Sequence, residues 1–310
     1  MLIATENAVY RLEGLGEPEE VFAQEGIRRV AEGRALDVVA LEDGALVVLE
    51  AGDTEDIETG IEGSIHSLLL LREQPLEMLV GTEPPHVYRL SGGGVERIEP
   101  FDELECRSEW YTPWGGPPAV RSMACTGDGW VYADIHVGSI MRSADRGATW
   151  QPVTPELHKD VHQVNTCPAE DARVYAETAA AFFISEDRGE SWEHRADDLD
   201  ERYGRAVAPH PGEPDLILAT VSDGPHGDNV HGQLYRSEDA GRNWAHVADG
   251  FPESVRENID TFHVAWAEDG TAWATVDRDL YVGRDRATEW ERHWQAPERI
   301  VMVSTRRPVR

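Results

Sequence analysis

One octapeptide pattern constrains this chain more than anything else in it. Ser143-Ala-Asp145-Arg-Gly147-Ala-Thr149-Trp150 is followed by Ser185-Glu-Asp187-Arg-Gly189-Glu-Ser191-Trp192 and by Ser237-Glu-Asp239-Ala-Gly241-Arg-Asn243-Trp244, with starts 42 and 52 residues apart. A decayed fourth copy reads Gly283-Arg-Asp285-Arg-Ala287-Thr-Glu289-Trp290. Repeats of this period mark arrays of one supersecondary unit. The chemistry is that of a turn: an Asp carboxylate accepts backbone N–H groups and Gly supplies a positive φ. Trp then offers a large apolar surface to a neighbouring sheet. Asp145, Asp187, Asp239, Trp150, Trp192 and Trp244 are therefore read as structural.

Short β-rich runs separated by turn residues surround each copy. Val120–Cys125, Trp130–Asp134, Ser139–Ser143 and Gln151–Val153 make one set; Val161–Thr166, Arg173–Glu177, Ala181–Ser185 and Trp192–His194 make the next. Four-stranded antiparallel sheets recurring at this interval predict an all-β propeller. Met78–Thr82, Val87–Leu90 and Val95–Ile98 fit strands two to four of another blade, with Gly92–Gly94 as a hairpin turn. Leu36–Leu41 and Ala45–Glu50 open a further blade whose outer part is short. Leu2–Thr5, Ala8–Leu12 and Glu20–Ala23 lack a first strand, and Arg299–Ser304 is a first strand without successors. Pairing the two termini closes the ring and removes the open edge. The count is seven blades in one domain spanning residues 1–310, or six if the unit near 36–63 is degenerate.

Charge limits the partners. There are 59 acidic and 28 basic residues, a formal net charge of -31, and Lys159 is the sole lysine. Such a surface repels nucleic-acid phosphates and anionic membranes. Carboxylates spread along the whole chain also suit a salt-loaded cytoplasm, where ions screen the self-repulsion. Three irregularly spaced cysteines (Cys106, Cys125 and Cys167) give neither a disulfide framework nor a zinc site. No basic stretch followed by an apolar run opens the chain, and no window approaches 18 consecutive apolar residues. A cytoplasmic protein is expected; oligomeric state is not legible.

The S-x-D-x-G-x-[TSN]-W pattern resembles the Asp-box, or BNR-repeat, propellers, which include sialidases, glucan-cleaving glycoside hydrolases, sortilin-type receptors and the photosystem II assembly factor group. The resemblance is specific over 143–244 and weaker over 66–98 and 262–294. It implies the propeller fold and leaves activity open, because that fold hosts hydrolases, receptors and assembly factors. A sialidase would imply three clamp arginines with a Tyr/Glu nucleophile pair. Arg121 and Arg205 fit the clamp, Tyr203 or Tyr111 the nucleophile, and no third arginine or glutamate follows. A glucan hydrolase would imply two central carboxylates, for which Asp134 and Asp260 are the candidates.

Topology locates a ligand face. In an up-and-down blade, the loops that enter strand one and leave strand two share one face, and the Asp-box turns occupy the other. His66, Arg121, His162, Arg205 and Asp260 enter first strands; Asp134, His136, Glu177, His226 and His231 follow second strands. Two long segments, Glu105–Pro118 with Trp110, Tyr111 and Trp114, and Pro225–Gln233, approach the same opening. Arg121, His162 and Arg205 are expected to point into or over the central channel. One reading is a cationic pocket, with Arg121, Arg205, His66, His162, Trp114 and Tyr203 holding an anionic or carbohydrate-like ligand or a protein. Another is a divalent metal on His136, His226 and His231 with Asp134; no other cofactor is implied. A third is a polar, solvated channel mouth without a ligand. The expectation is a non-catalytic binding or assembly module, with a hydrolase of glycosidic bonds, or a metal-dependent hydrolase or lyase, as the alternative.

Overall fold

The computed structural model describes residues 1–92 and 94–306. Seven four-stranded antiparallel sheets account for its strands. Blade 1 joins the two ends of the chain, in the order Ile300–Ser304, Leu2–Thr5, Ala8–Arg11, Glu19–Ala23. Leu2 pairs with Ser304 and Ala4 with Met302, so the ring is closed as expected. Blades 3 to 7 have Ser64–Arg72, Val120–Cys125, Val161–Cys167, Tyr203–Pro209 and Val264–Trp266 as innermost strands.

The blade near residues 36–63 is complete, which decides for seven. Leu36–Leu41 and Leu46–Glu50 are its second and third strands and do not open it. The innermost strand is Ile27–Glu32 and the outermost Asp53–Ile57. Arg28 and Arg29 interrupt the apolar alternation of Ile27–Glu32 because the strand bulges there: Ile27 faces Leu41, and Arg29 faces Ala40. The hairpin at Gly92–Gly94 is present as the Ser91–Gly94 pair, and Gly93 itself lies outside the described residues.

The Asp boxes form the turns their chemistry predicts. Asp145 Oδ1 accepts the Thr149 N–H at 2.8 Å and the Ser143 Oγ at 2.7 Å, while Ser143 Oγ accepts the Gly147 N–H at 2.8 Å. Ser191 on Asp187 and Asn243 on Asp239 repeat this geometry. Two consecutive residues take positive φ, Arg146 at 60° and Gly147 at 88°. The decayed copy keeps that backbone with Arg286 at 56° and Ala287 at 62°. Its Trp290 indole donates to Ala287 O at 3.0 Å, as Trp150 donates to Gly147 O at 3.0 Å.

Each box is also latched to the preceding blade. Arg89 donates to Arg146 O (2.7 Å), Arg142 to Arg188 O (2.9 Å), Arg195 to Ala240 O (2.9 Å) and Arg236 to Arg286 O. The carbonyl that the left-handed turn leaves without a ladder partner is thereby satisfied by a charged donor. Between blades, apolar side chains interdigitate: Phe182 of blade 5 meets Trp244 of blade 6 edge-on with centroids 5.1 Å apart. Among the described residues no helix is long and apolar enough to cross a membrane.

Candidate functional site

The face opposite the Asp boxes is organised by a recurring irregularity of the innermost strands. In blades 2 to 5 one extra residue sits in a bulge at the mouth of the channel: Arg28, His66, Arg121 and His162. In blade 6 the shift between Gly204 and Val207 contains Arg205. A bulge turns a side chain out of the pleat, so five neighbouring blades carry a basic residue at the same end of the innermost strand. In blade 1 the corresponding residue is Val301.

Blade 7 departs from this pattern. Its first strand is short, and the preceding turn, Asp260–His263, reaches across the opening. Thr261 Oγ1 donates to His162 O at 3.0 Å, Phe262 takes a φ of 66°, and the Val303 N–H of blade 1 donates to Phe262 O at 2.9 Å. The Arg29 guanidinium lies 5.8 Å from the Phe262 ring centre. Below this crossing, a cavity of about 140 Å³ runs down the ring between Gln163, Met123, Leu69, Trp266 and Met302 toward Glu73 and Arg306. None of the six expected ligand-binding residues lines it. Of the two expected placements, into or over the channel, Arg121, His162 and Arg205 take the second, outside the cavity that lies beyond the Asp260–His263 turn.

The residues above the crossing form one connected cluster. Arg205 donates through Nε and Nη2 to Asp260 Oδ1. Arg121 donates from Nη1 to Val161 O at 3.4 Å and, among the described residues, has no carboxylate within 4.0 Å. His162 is fully buried, with Nδ1 on Gly204 O and its ring 4.7 Å from Tyr203. Asp160 Oδ1 lies 3.3 Å from His162 Nε2 and 3.7 Å from His136 Nε2, without a directed hydrogen bond to either. Trp114, 67% exposed, leans on His136 with centroids 4.7 Å apart. Trp110 from the same insertion is partly buried against Phe101 and Arg107, while Tyr111 is 56% exposed.

The field of this cluster is positive although the protein is strongly acidic. Burial, with Arg29, Arg121 and Arg28 nearby, holds the His66 imidazole down to about 4. Burial and Arg121 likewise depress His136, and burial depresses His162 despite the adjoining Asp160. Neutral histidines and charged arginines are the state near neutral pH. Burial pushes the Asp160 carboxyl up, but His162 and Arg121 outweigh it and the group stays below its ordinary range.

Asp134 and Asp260 have different surroundings. Asp134 is fully buried, its Oδ1 accepting from Ser122 N (2.6 Å) and Ser122 Oγ, and burial pushes it up to about 7. Asp260 is paired with Arg205 and stays below the ordinary range, although burial opposes this. His226 and His231 are exposed on the blade 6 insertion, with His231 Nδ1 3.2 Å from Asp223. Among the described residues no three His, Cys, Asp or Glu side chains are grouped to hold a metal ion.

Arg29, Asp160 and Thr261 escaped the sequence reading. Asp160 stands two residues before His162, a position that carries the signal. Arg29 lies next to the bulge, with Nε donating to His66 O at 2.6 Å, and nothing local distinguishes it from Arg28.

Comparison with known proteins agrees with this architecture. The Sortilin-Vps10 family model (sortilin, neurotensin receptor 3) matches residues 138–253, which contain the three intact boxes. No curated protein matches the chain. Among solved structures, an ancestral GH74 enzyme is 14% identical with a TM-score of 0.67, over 87% of this chain and 39% of its own. The GH74 xyloglucanase from Xanthomonas campestris is 17% identical with a TM-score of 0.62, over 86% of this chain and 45% of its own. YCF48, solved bound to D1 peptide, is 18% identical with a TM-score of 0.59, over 86% of this chain and 81% of its own. The chain thus spans less than half the length of both GH74 proteins. With its three intact boxes and its seven four-stranded blades, the chain is a seven-bladed β-propeller that is similar to the Sortilin-Vps10 family over residues 138–253.

Proposed function

We propose that the protein, acting as a single propeller unit over 1–310, is a non-catalytic binding module for an anionic group carried by a protein segment or a small ligand. The observation that carries this reading is Arg121: a largely buried guanidinium with only a long backbone contact and, among the described residues, no carboxylate within 4.0 Å, Asp134 and Asp160 acting on it only from further off. Leaving a charge without a partner is costly inside a protein. An incoming carboxylate on Arg121 would gain charge-assisted hydrogen bonds in a partly desolvated site. Trp114 and Tyr111, exposed beside the cluster, supply apolar area of the kind found at binding surfaces. YCF48, a propeller of the same fold with a bound peptide, lends support to a protein partner. The charge of -31 fits a high-salt cytoplasm as the working environment.

The test uses glutarate as a carboxylate probe, titrated into the whole protein while the arginine Nε–Hε signals are followed by NMR. Saturable shifts in the native protein that disappear in Arg121→Ala, with unchanged far-UV circular dichroism, support the reading. Equal saturation in Arg121→Ala overturns it.

A further inference from the structure

We infer that Asp260 is an internal surrogate for the ligand's carboxylate, so that the site admits a carboxylate in exchange for the Arg205–Asp260 pair. The inference rests on the binding reading above and names both the ligand group and the device that holds the site closed. Arg205 turns two of its donors, Nε and Nη2, onto the single oxygen Asp260 Oδ1. Asp260 approaches from the turn that crosses the opening, not from a neighbouring strand. Thr261 holds that turn in place through His162 O (3.0 Å) and Arg205 O (3.3 Å). Arg121 reaches the same dipeptide from the other side, through Val161 O. The two guanidiniums are close enough that Arg205 depresses Arg121, and only Arg205 has a carboxylate within 4.0 Å among the described residues, Asp134 and Asp160 reaching Arg121 only from further off.

An arriving carboxylate can lie between them with one oxygen on Arg121 and the other on Arg205, provided Asp260 leaves Arg205. Asp260 is free to do so, because its side chain is 40% exposed and its remaining bond is the local one from the Thr261 N–H. No covalent step is involved; one charge-assisted pair is exchanged for another. The cost of separating Arg205 from Asp260 lowers the apparent affinity and selects ligands that engage both arginines.

The glutarate titration separates this inference from the general reading. In Asp260→Asn, half-saturation is expected at about tenfold lower glutarate than in the native protein. The gain should fall to within about twofold when Asp260→Asn is made in an Arg205→Gln background. Glu83, which ends the second strand of blade 3 (Glu77–Glu83) 3.4 Å from His66, lies on the same face, and Glu83→Gln serves as the control for a general field effect and should shift half-saturation little. Equal half-saturation in native and Asp260→Asn proteins overturns the inference, as does a gain that persists without Arg205 or is matched by Glu83→Gln. Inorganic phosphate showing the same Asp260 dependence at lower concentration overturns the assignment to carboxylate. If binding is lost in Arg121→Ala yet indifferent to Asp260, the binding reading stands and the surrogate falls. No saturable binding in any variant overturns both.

Discussion

Ser122 holds Asp134 with both its N–H and its Oγ, and the same Oγ accepts the Val164 N–H of the next blade at 2.9 Å. The carboxyl is thus part of the joint between blades 4 and 5. Its pKa is raised to about 7 by burial, and the sign of the linkage follows. The fold favours the neutral acid, so stability is full below the unfolded carboxylate pKa of about 4 and declines as pH climbs toward 7. Roughly 4 kcal/mol is at stake at about 1.4 kcal/mol per unit. Asp134→Asn carries no such charge. Urea midpoints should show the Asn variant gaining on the native protein between about pH 4.5 and about pH 7.5; a constant difference would be the wrong outcome.

A second buried acid has no side-chain donor, and only the Thr178 backbone N–H opposes its desolvation. Glu177 is fully buried, neither oxygen has a well-formed hydrogen bond, and burial outweighs the nearby Thr178 N–H to push its pKa well above the ordinary range. The carboxyl packs on Gly204, where an added Cβ would overlap Oε2. Gly204→Ala should destabilise by about 2 kcal/mol or more, and Glu177→Ala in the same chain should recover most of that loss. A thermodynamic cycle from chemical denaturation measures the coupling. Additive losses would show that the two residues do not compete for space.

The box tryptophans are not equivalent. The Trp150 indole has Gly147 O as acceptor and Trp244 has Arg195 O at 2.9 Å, whereas the Trp192 nitrogen is buried without one. Trp→Phe removes a satisfied donor at 150 and 244 but an unsatisfied one at 192. The cost at 192 should therefore be smaller by about 1 kcal/mol. Equal losses on denaturation would contradict this.

Self-repulsion from a net charge of -31 should make folding depend on salt. Raising KCl from about 0.1 M to about 2 M is expected to lift the melting temperature by on the order of 10 °C. A melting temperature that falls over this range would contradict the screening argument.

Much of the ring was legible because the boxes announce their own period and their turn chemistry is local. Ile27–Glu32 was hidden by the very bulge that makes it useful: inserting Arg28 breaks the period-two pattern by which strands are recognised. The face opposite the boxes could be located from blade topology, which put Arg121, His162, Arg205 and His136 at one end of the blades. The crossing could not. Thr261 meets His162 across 99 residues, and no local pattern encodes a turn that leaves its own blade to bond with three others. The contrast between Asp134 and Asp260 was equally out of reach, since it depends on whether a serine or an arginine stands opposite.

The shared blade has a consequence for synthesis. A chain made from its N-terminus produces Leu2–Thr5 nearly 300 residues before the partner of that strand, Ile300–Ser304. Throughout elongation an apolar strand waits with one edge bare, beside blades that are already complete. The edge of Leu2–Thr5 is thus open to wrong pairing until Ile300–Ser304 has been made, and that strand acts as a clasp that ends the exposure in a single step.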